Sequence, residues 1–285
     1  MKINTITPDE HEFTKVLGSI AKIPKKLHYI GALPESRPPV VAIVGTRRPS
    51  SYGKEVTHRL SYDLAARGVI IVSGLALGVD AIAHAAALEA GGTTMAVLGT
   101  PLPTISPASN RQLGEEILKQ GGAILSEYDE GARVFPSNFL ERNRIVSGLA
   151  DAIIITEATS HSGTLNTAAR ALEQGKEIFV VPGNITSPLS AGCNSLLKQG
   201  ARVVIDYTDV LEIIAPTLET SQTSLPLGQN ELETVIIKHI AAGVRDGETL
   251  LRLVDVDPVE FSTALTMLEI AGSVRALGAN QWTIR

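Results

Sequence analysis

The residues best suited to chemistry sit in one stretch, Val40 to Lys54, which reads VVAIVGTRRPSSYGK. Arg47 and Arg48 follow Gly45 and Thr46 at once, and Pro49, Ser50 and Ser51 come next. A guanidinium presents a planar fork of donors that matches phosphate. A glycine beside it lets the backbone come close to an anion. The chemistry this predicts is the holding of an anion, phosphate above all, by side-chain forks and backbone N–H groups. A solvated loop whose arginines only keep the chain soluble would read the same way.

Other turns share this character. Ser73-Gly74-Leu75-Ala76-Leu77-Gly78 follows an apolar run, and its two glycines bracket the turn. Gly99-Thr100 opens a proline-rich loop that runs to Asn110, and Ser162-Gly163-Thr164 opens a helical pattern. Small residues admit a phosphate near the backbone, and each helix N-terminus adds partial positive charge. Several such turns on one edge predict a groove. Enzyme signatures are missing by comparison. The sequence has no G-x-G-x-x-G after its first central strand, no G-x-x-x-x-G-K-[ST] and no G-x-S-x-G. His84 lies in an alanine-rich helix and reads as structural, while His161 lies in a loop with no evident metal partner. Asp80 starts a helix, where an acid caps the dipole. Glu127 and Glu157 both follow strands. They fit either an acid/base pair or ion pairs with the nearby arginines.

These turns need elements to hold them. With 285 residues the chain is long enough for one large domain and a small one. Hydrophobic content is 44%, and 25 glycines allow many tight turns. Net charge is −5, so a nucleic-acid site must be a local patch of Lys and Arg. Cys193 is the only cysteine, which excludes disulfides within the chain and cysteine-rich metal sites. The start, MKINTITPDE, lacks the apolar centre of a signal peptide. No apolar run approaches the roughly 18–20 residues of a membrane span. The chain reads as cytosolic.

From Val40 the pattern alternates. Strands are expected at 40–44, 69–72, 94–98, 123–126, 152–156, 177–181 and 202–205. Helices are expected at 53–66, 79–90, 110–120, 139–149, 164–174, 192–199 and 208–214. Strands alternating with helices of this length predict a doubly wound, mainly parallel α/β sheet. Glycines at 68, 91, 121, 175 and 200 stop the helices. Residues 1–39 read as a short extension, with a helix near 10–21 and a strand near 27–33. Residues 40–216 form the main domain, and 217–228 (TLETSQTSLPLG) a linker. From 229 to 285, three helices and a β-hairpin predict a small winged-helix domain.

Four motifs together resemble the DNA-processing protein A (DprA/Smf) family. They are VGTRRPSSYG, SGLALGVDAIAH, FLERNRIVSGLAD, and EATSHSGTLNTA followed by VVPGN. The resemblance covers about Leu27 to Ile214. It implies an extended Rossmann-like fold that binds single-stranded DNA, forms a homodimer and loads the RecA recombinase, in recombination and natural transformation. It implies no catalysis, no cofactor and no membrane. By motif, it assigns Arg47 to a backbone phosphate, with Thr46 and Arg48 beside it. Gly45, Ser73, Gly74, Gly78, Ser162 and Gly163 would line the groove with backbone donors. Phe139 would contact a base, and Arg142, Asn143 and Arg144 complete that motif; an alternative role for one or both arginines is to hold the loops through Glu157.

The chain departs from the family in three places. The segment before Val40 is too short for the N-terminal helical domain of many members. Glu141 stands where some members carry a basic residue, and would weaken phosphate binding or redirect the strand. From Gln229 onward there are eight Asp/Glu and five Lys/Arg, so the tail reads as a protein contact or structural unit rather than a DNA reader. A different class also fits the sheet, the nucleotide-processing phosphoribohydrolases with P-G-G-x-G-T-x-x-E. Here SHSGTLNTA keeps the glycine and threonine without the glutamate.

Overall fold

Runs of β-branched residues build the centre of a nine-stranded sheet. The structure is a computed structural model that describes residues 2–216, 230–278 and 280–284. The strands are β1 (Asn4–Ile6), β2 (Leu27–Gly31), β3 (Val40–Val44), β4 (Ile70–Ser73), β5 (Thr94–Leu98), β6 (Ala123–Ser126), β7 (Ala152–Ile155), β8 (Glu177–Val180) and β9 (Arg202–Val203). Their order is β1-β2-β6-β5-β4-β3-β7-β8-β9. From β6 to β9 every neighbouring pair is parallel. The two strands at the far edge, β2 and β1, pair antiparallel.

All five residues of β3 are buried, as a central strand covered on both faces requires. Alternate residues feed two cores: Val40, Ala42 and Val44 face one, Val41 and Ile43 the other. The covering helices include α2 (Ser51–Ala65), α3 (Val79–Glu89), α4 (Arg111–Lys119), α5 (Pro136–Leu149), α6 (Thr164–Glu173), α7 (Ala191–Lys198) and α8 (Thr208–Ile214), after a single turn α1 (Glu12–Lys15). The winding runs β3 to β6 one way, then returns through β7 to β9 on the other side of β3. The strand order therefore reverses between β3 and β7, where open α/β sheets bind ligands.

The expected seven strands and their helices occur within one to three residues of their expected bounds. The N-terminal segment differs. The helix expected over 10–21 is broken into a 3-10 turn at Pro8–Glu10, the single turn of α1, and a second 3-10 turn at Val16–Ser19. Residues 1–39 are not set apart from the main domain: β1 and β2 extend its sheet, and the first compact unit runs Met1–Thr220.

The second unit is Ser221–Arg285. It holds α9 (Glu231–Ala241), α10 (Gly247–Val254), α11 (Pro258–Ile270) and an antiparallel hairpin of β10 (Val274–Gly278) and β11 (Gln281–Ile284). Asp257 caps α11 by accepting from the Val259 N–H, with Pro258 at the first helical position. Ile236, Ile237, Leu250, Phe261, Leu265 and Leu268 form its own core. This is the element order expected for residues 229–285. The linker expected at 217–228 lies outside the described residues. Among the described residues, no helix is long and apolar enough to cross a membrane.

His84 is fully buried on α3. Thr94 Oγ1 donates to the Ile71 carbonyl, so its contact with His84 Nδ1 at 2.6 Å is a bond donated by the ring. His84 is thus neutral with Nδ1 protonated. Burial first, and then the Arg142 charge, lower its pKa to about 3. The unfolded chain protonates this ring near 6.5, the folded chain only near 3. Stability is therefore complete above about pH 6.5 and is lost as pH falls toward 3, by at most about 1.4 kcal/mol per pH unit. His84→Gln is expected to flatten the dependence of urea midpoint on pH in that window. Equal slopes in the two proteins would contradict the assignment.

Candidate nucleic-acid interface

The loops after β3, β4, β5 and β7 meet at the carboxyl edge of the sheet and enclose two adjoining cavities. The larger, about 590 Å³, is lined among others by Arg47, Gly74, Leu77, Phe135, Phe139 and Arg142. The smaller, about 220 Å³, is lined among others by Gly45, Thr46, Arg47, Asn143, Ser162 and Gly163. Arg47, Ala76, Phe139, Leu140 and Arg142 are shared.

Arg47 is exposed, and its side chain makes no hydrogen bond or ion pair among the described residues. The backbone N–H groups of Arg47 and Gly163 likewise have no acceptor there. Gly163 stands at the N-terminus of α6, where the helix dipole adds positive charge. A fork, two free N–H groups and a helix end are groups that can hold a phosphate.

The loop carrying Arg47 is clamped from behind. Thr46 N donates to the Glu157 carbonyl at 2.8 Å. The Glu157 side chain, 3% exposed, accepts from Ser50 N at 2.8 Å and from Ser50 Oγ at 2.6 Å. Glu157 therefore pairs with Ser50, not with an arginine of the RNR motif as the sequence allowed. Its carboxylate fills the N-terminus of α2, and a Cβ on Gly53 would run into it. In dinucleotide folds this helix end receives the pyrophosphate. Here the protein's own carboxylate occupies it, and the unpartnered donors lie instead at Arg47 and at the start of α6.

The β4–α3 loop is the second wall. Its Gly78 has φ +79°, and a Cβ there would lie 2.5 Å from the Thr46 carbonyl oxygen. Glycine thus lets this loop pack on the Arg47 loop, with Val79 N bonded to Thr46 O at 3.2 Å. Asn110 Nδ2 ties the same loop down through the carbonyls of Leu75 at 2.9 Å and Ala76 at 3.1 Å. Asp80, expected to cap its own helix, ties down the loop before it instead: Oδ2 accepts from Gly74 N at 3.0 Å and Ala76 N at 3.3 Å.

The motif Phe139 to Arg144 supplies the third wall on α5. Two residues apart on a helix means about 200° of rotation, so Arg142 and Arg144 cannot share a face. Arg142, 6% exposed, donates to the carbonyls of Gly74 and Val97. Burial lowers its pKa, and the Asp80 charge opposes that. Burial raises the Asp80 pKa, and Arg142 opposes that in turn. The two charges hold each other in place under the groove. Arg144 points away from both cavities and pairs with Glu127 at 2.5 Å. Glu127 is thus one half of an ion pair and not of an acid/base set. Phe139 is half-buried, its ring against Gly99, where a Cβ would meet it at 2.9 Å.

Of the thirteen residues expected at the groove, Gly45, Thr46, Arg47, Gly74, Phe139, Arg142, Asn143, Ser162 and Gly163 line it. Arg48, Ser73, Gly78 and Arg144 do not. Ser73 Oγ is spent on the Ile43 carbonyl at 2.6 Å, and the Gly74 N–H on Asp80, so neither of these is a free donor. Glu141 carries no bare charge either, because Lys22 Nζ meets it at 2.9 Å. Sequence reasoning missed Leu77, Val134, Phe135 and Leu140. For Leu77, Val134 and Phe135 the signal was there in apolar residues placed in loops, where solubility alone would favour polar ones; Leu140 lies within α5.

Known proteins resemble this chain in sequence and in fold. The profile of DNA recombination-mediator protein A matches residues 4–215. Protein Smf of Synechocystis is 40% identical over 223 residues, covering 76% of this chain and 56% of its own. Protein Smf of Escherichia coli is 39% identical over 245 residues, covering 83% of this chain and 66% of its own. The chain thus spans between about half and two thirds of the length of these relatives. The X-ray structure of DNA processing protein A from Streptococcus pneumoniae superposes with a TM-score of 0.67 at 35% identity, over 75% of each chain. A structure of the Helicobacter pylori protein, solved for its single-stranded DNA binding mode, gives a TM-score of 0.65 at 35% identity, over 74% of this chain and 95% of that one. The chain belongs to the DNA recombination-mediator protein A family, that of the DprA and Smf proteins.

Proposed function

We propose that this chain binds single-stranded DNA without regard to sequence and hands it to the RecA recombinase, in recombination and natural transformation. The observation that carries the reading is Arg47, a guanidinium without an internal partner at a groove that also offers two free N–H groups. A strand would lay one phosphate there and a base against Phe139. Stacking accepts every base, so it gives affinity without sequence preference. The Helicobacter pylori relative and the family's place in recombination support the same substrate. On this reading the protein acts in the cytoplasm by binding and not by turnover. Glu157 in the N-terminus of α2 and the missing glutamate of SHSGTLNTA weigh against a phosphoribohydrolase.

The acidic second unit acts as a protein contact, because eight acids against five bases repel a phosphate backbone. A homodimer would align two grooves on one strand. The test is fluorescence anisotropy with oligo-dT, a mixed-sequence strand and the matching duplex, on the whole chain and on one lacking 229–285. Both proteins are expected to bind both single strands alike and the duplex far more weakly. Equal binding of duplex, or base release from nucleoside monophosphates, would overturn the proposal. Faster RecA nucleation on the bound strand, and a sedimentation mass twice that of the chain, are the expected results for the partner and the dimer.

A further inference from the structure

The chain has five phenylalanines, and two of them line the larger cavity. Phe13, Phe179 and Phe261 belong to hydrophobic cores, whereas Phe135 is 48% exposed. Leu77, Val134 and Leu140 at the same cavity are 43–47% exposed. One exposed apolar side chain is ordinary, but four around one mouth mark a binding surface. Phe135 is also presented from a fixed base. Its backbone is extended, Pro136 starts α5 directly after it, and its carbonyl accepts from Asn138 N at 3.0 Å. The Arg133 guanidinium carbon lies 5.3 Å from its ring centroid. The cavity thus has Arg47 in its lining and Arg133 beside its exposed ring.

Cations flanking flat apolar surface complement a strand of charged phosphates and flat bases, and not an apolar ridge of protein alone. We propose that Phe135, backed by Arg133, is a second base-stacking face of the groove, for a nucleotide neighbouring the one at Phe139. This rests on the reading of the groove as a single-strand site. Each chain then grips two bases and not one, with no donor or acceptor reading either of them.

The test compares oligo-dT with an oligomer that carries abasic positions, on wild type, Phe135→Ala, Phe135→Trp and Arg47→Ala. Phe135→Ala is expected to weaken oligo-dT binding about five- to tenfold, at the low end of one stacked base. Its slope of log affinity against log salt stays at the wild-type value, because no phosphate contact is lost. Phe135→Trp restores the affinity, and the wild-type advantage over Phe135→Ala vanishes on the abasic oligomer. Wild-type affinity in Phe135→Ala overturns this inference, and so does a loss that tryptophan fails to restore or that persists on the abasic oligomer. Phe135→Ala unchanged beside a weakened Arg47→Ala sinks this inference alone. An unchanged Arg47→Ala sinks the groove reading beneath it.

Discussion

Arg47→Ala is expected to weaken the binding of oligo-dT at least tenfold while leaving the melting temperature where it was. The two halves of this result have one cause. Arg47 is exposed and bonds to nothing among the described residues, so the fold loses no internal contact with it. The bound state loses a charge-assisted fork on phosphate, about 1.5–3 kcal/mol, which is roughly ten- to a hundredfold in affinity. Arg47→Lys keeps the charge without the fork and falls between. Arg48→Ala is the matched control, since Arg48 is outside both cavities, and its loss is expected to be much smaller. Anisotropy titrations on the three variants measure this. Equal losses at Arg47 and Arg48 would mean that only diffuse charge matters.

Arg142→Ala is expected to act the opposite way, on the fold first. It strips the carbonyls of Gly74 and Val97 of a donor and leaves the buried Asp80 carboxylate without its cation. Leaving a buried carbonyl without its donor costs about 1–3 kcal/mol, and the Asp80 charge that Arg142 no longer offsets adds to that. Urea unfolding reads this directly, and DNA binding falls as a consequence, because the β4–α3 loop loses its support. The deficit also has a pH signature. Burial already raises the Asp80 pKa, and Arg142 is the largest effect opposing it. Without Arg142 the folded-state pKa rises further above the unfolded value. A raised carboxylate pKa contributes stability at low pH that is lost as pH rises through it. The gap between wild type and Arg142→Ala is therefore expected to narrow on acidification, and His84, relieved of the same arginine, shifts it in the same direction. A gap that is small, or flat with pH, would show that Arg142 does not hold Asp80.

The central sheet was legible because fully buried parallel strands are unbroken apolar runs, as VVAIV is, and because glycines closed the helices between them. The apolar period of α5 begins only at Phe139, three residues after the helix does, since its first turn, Pro136-Ser137-Asn138, carries none. β1 is three residues at an antiparallel edge, too short to show any pattern. At the site, the turns were legible from glycine and serine. The fate of the arginines was not, because burial of Arg142 depends on the carbonyls of Gly74 just after β4 and Val97 on β5, distant in sequence. The helical period did forbid Arg142 and Arg144 from facing the groove together. Phe135 stands in irregular chain before a proline, where no period marks it. Lys22 on Glu141 joins positions 119 residues apart, which no local reading reaches.

The central claim is that Arg47 grips a phosphate of a single strand, and a salt titration tests it most directly. Affinity for oligo-dT, measured over a range of salt concentrations for wild type and Arg47→Ala, is expected to fall linearly on logarithmic axes. The Arg47→Ala line should be shallower by about 0.7, the contribution of one phosphate contact on a single strand. Parallel lines, or a wild-type affinity that salt leaves unchanged, would contradict the account.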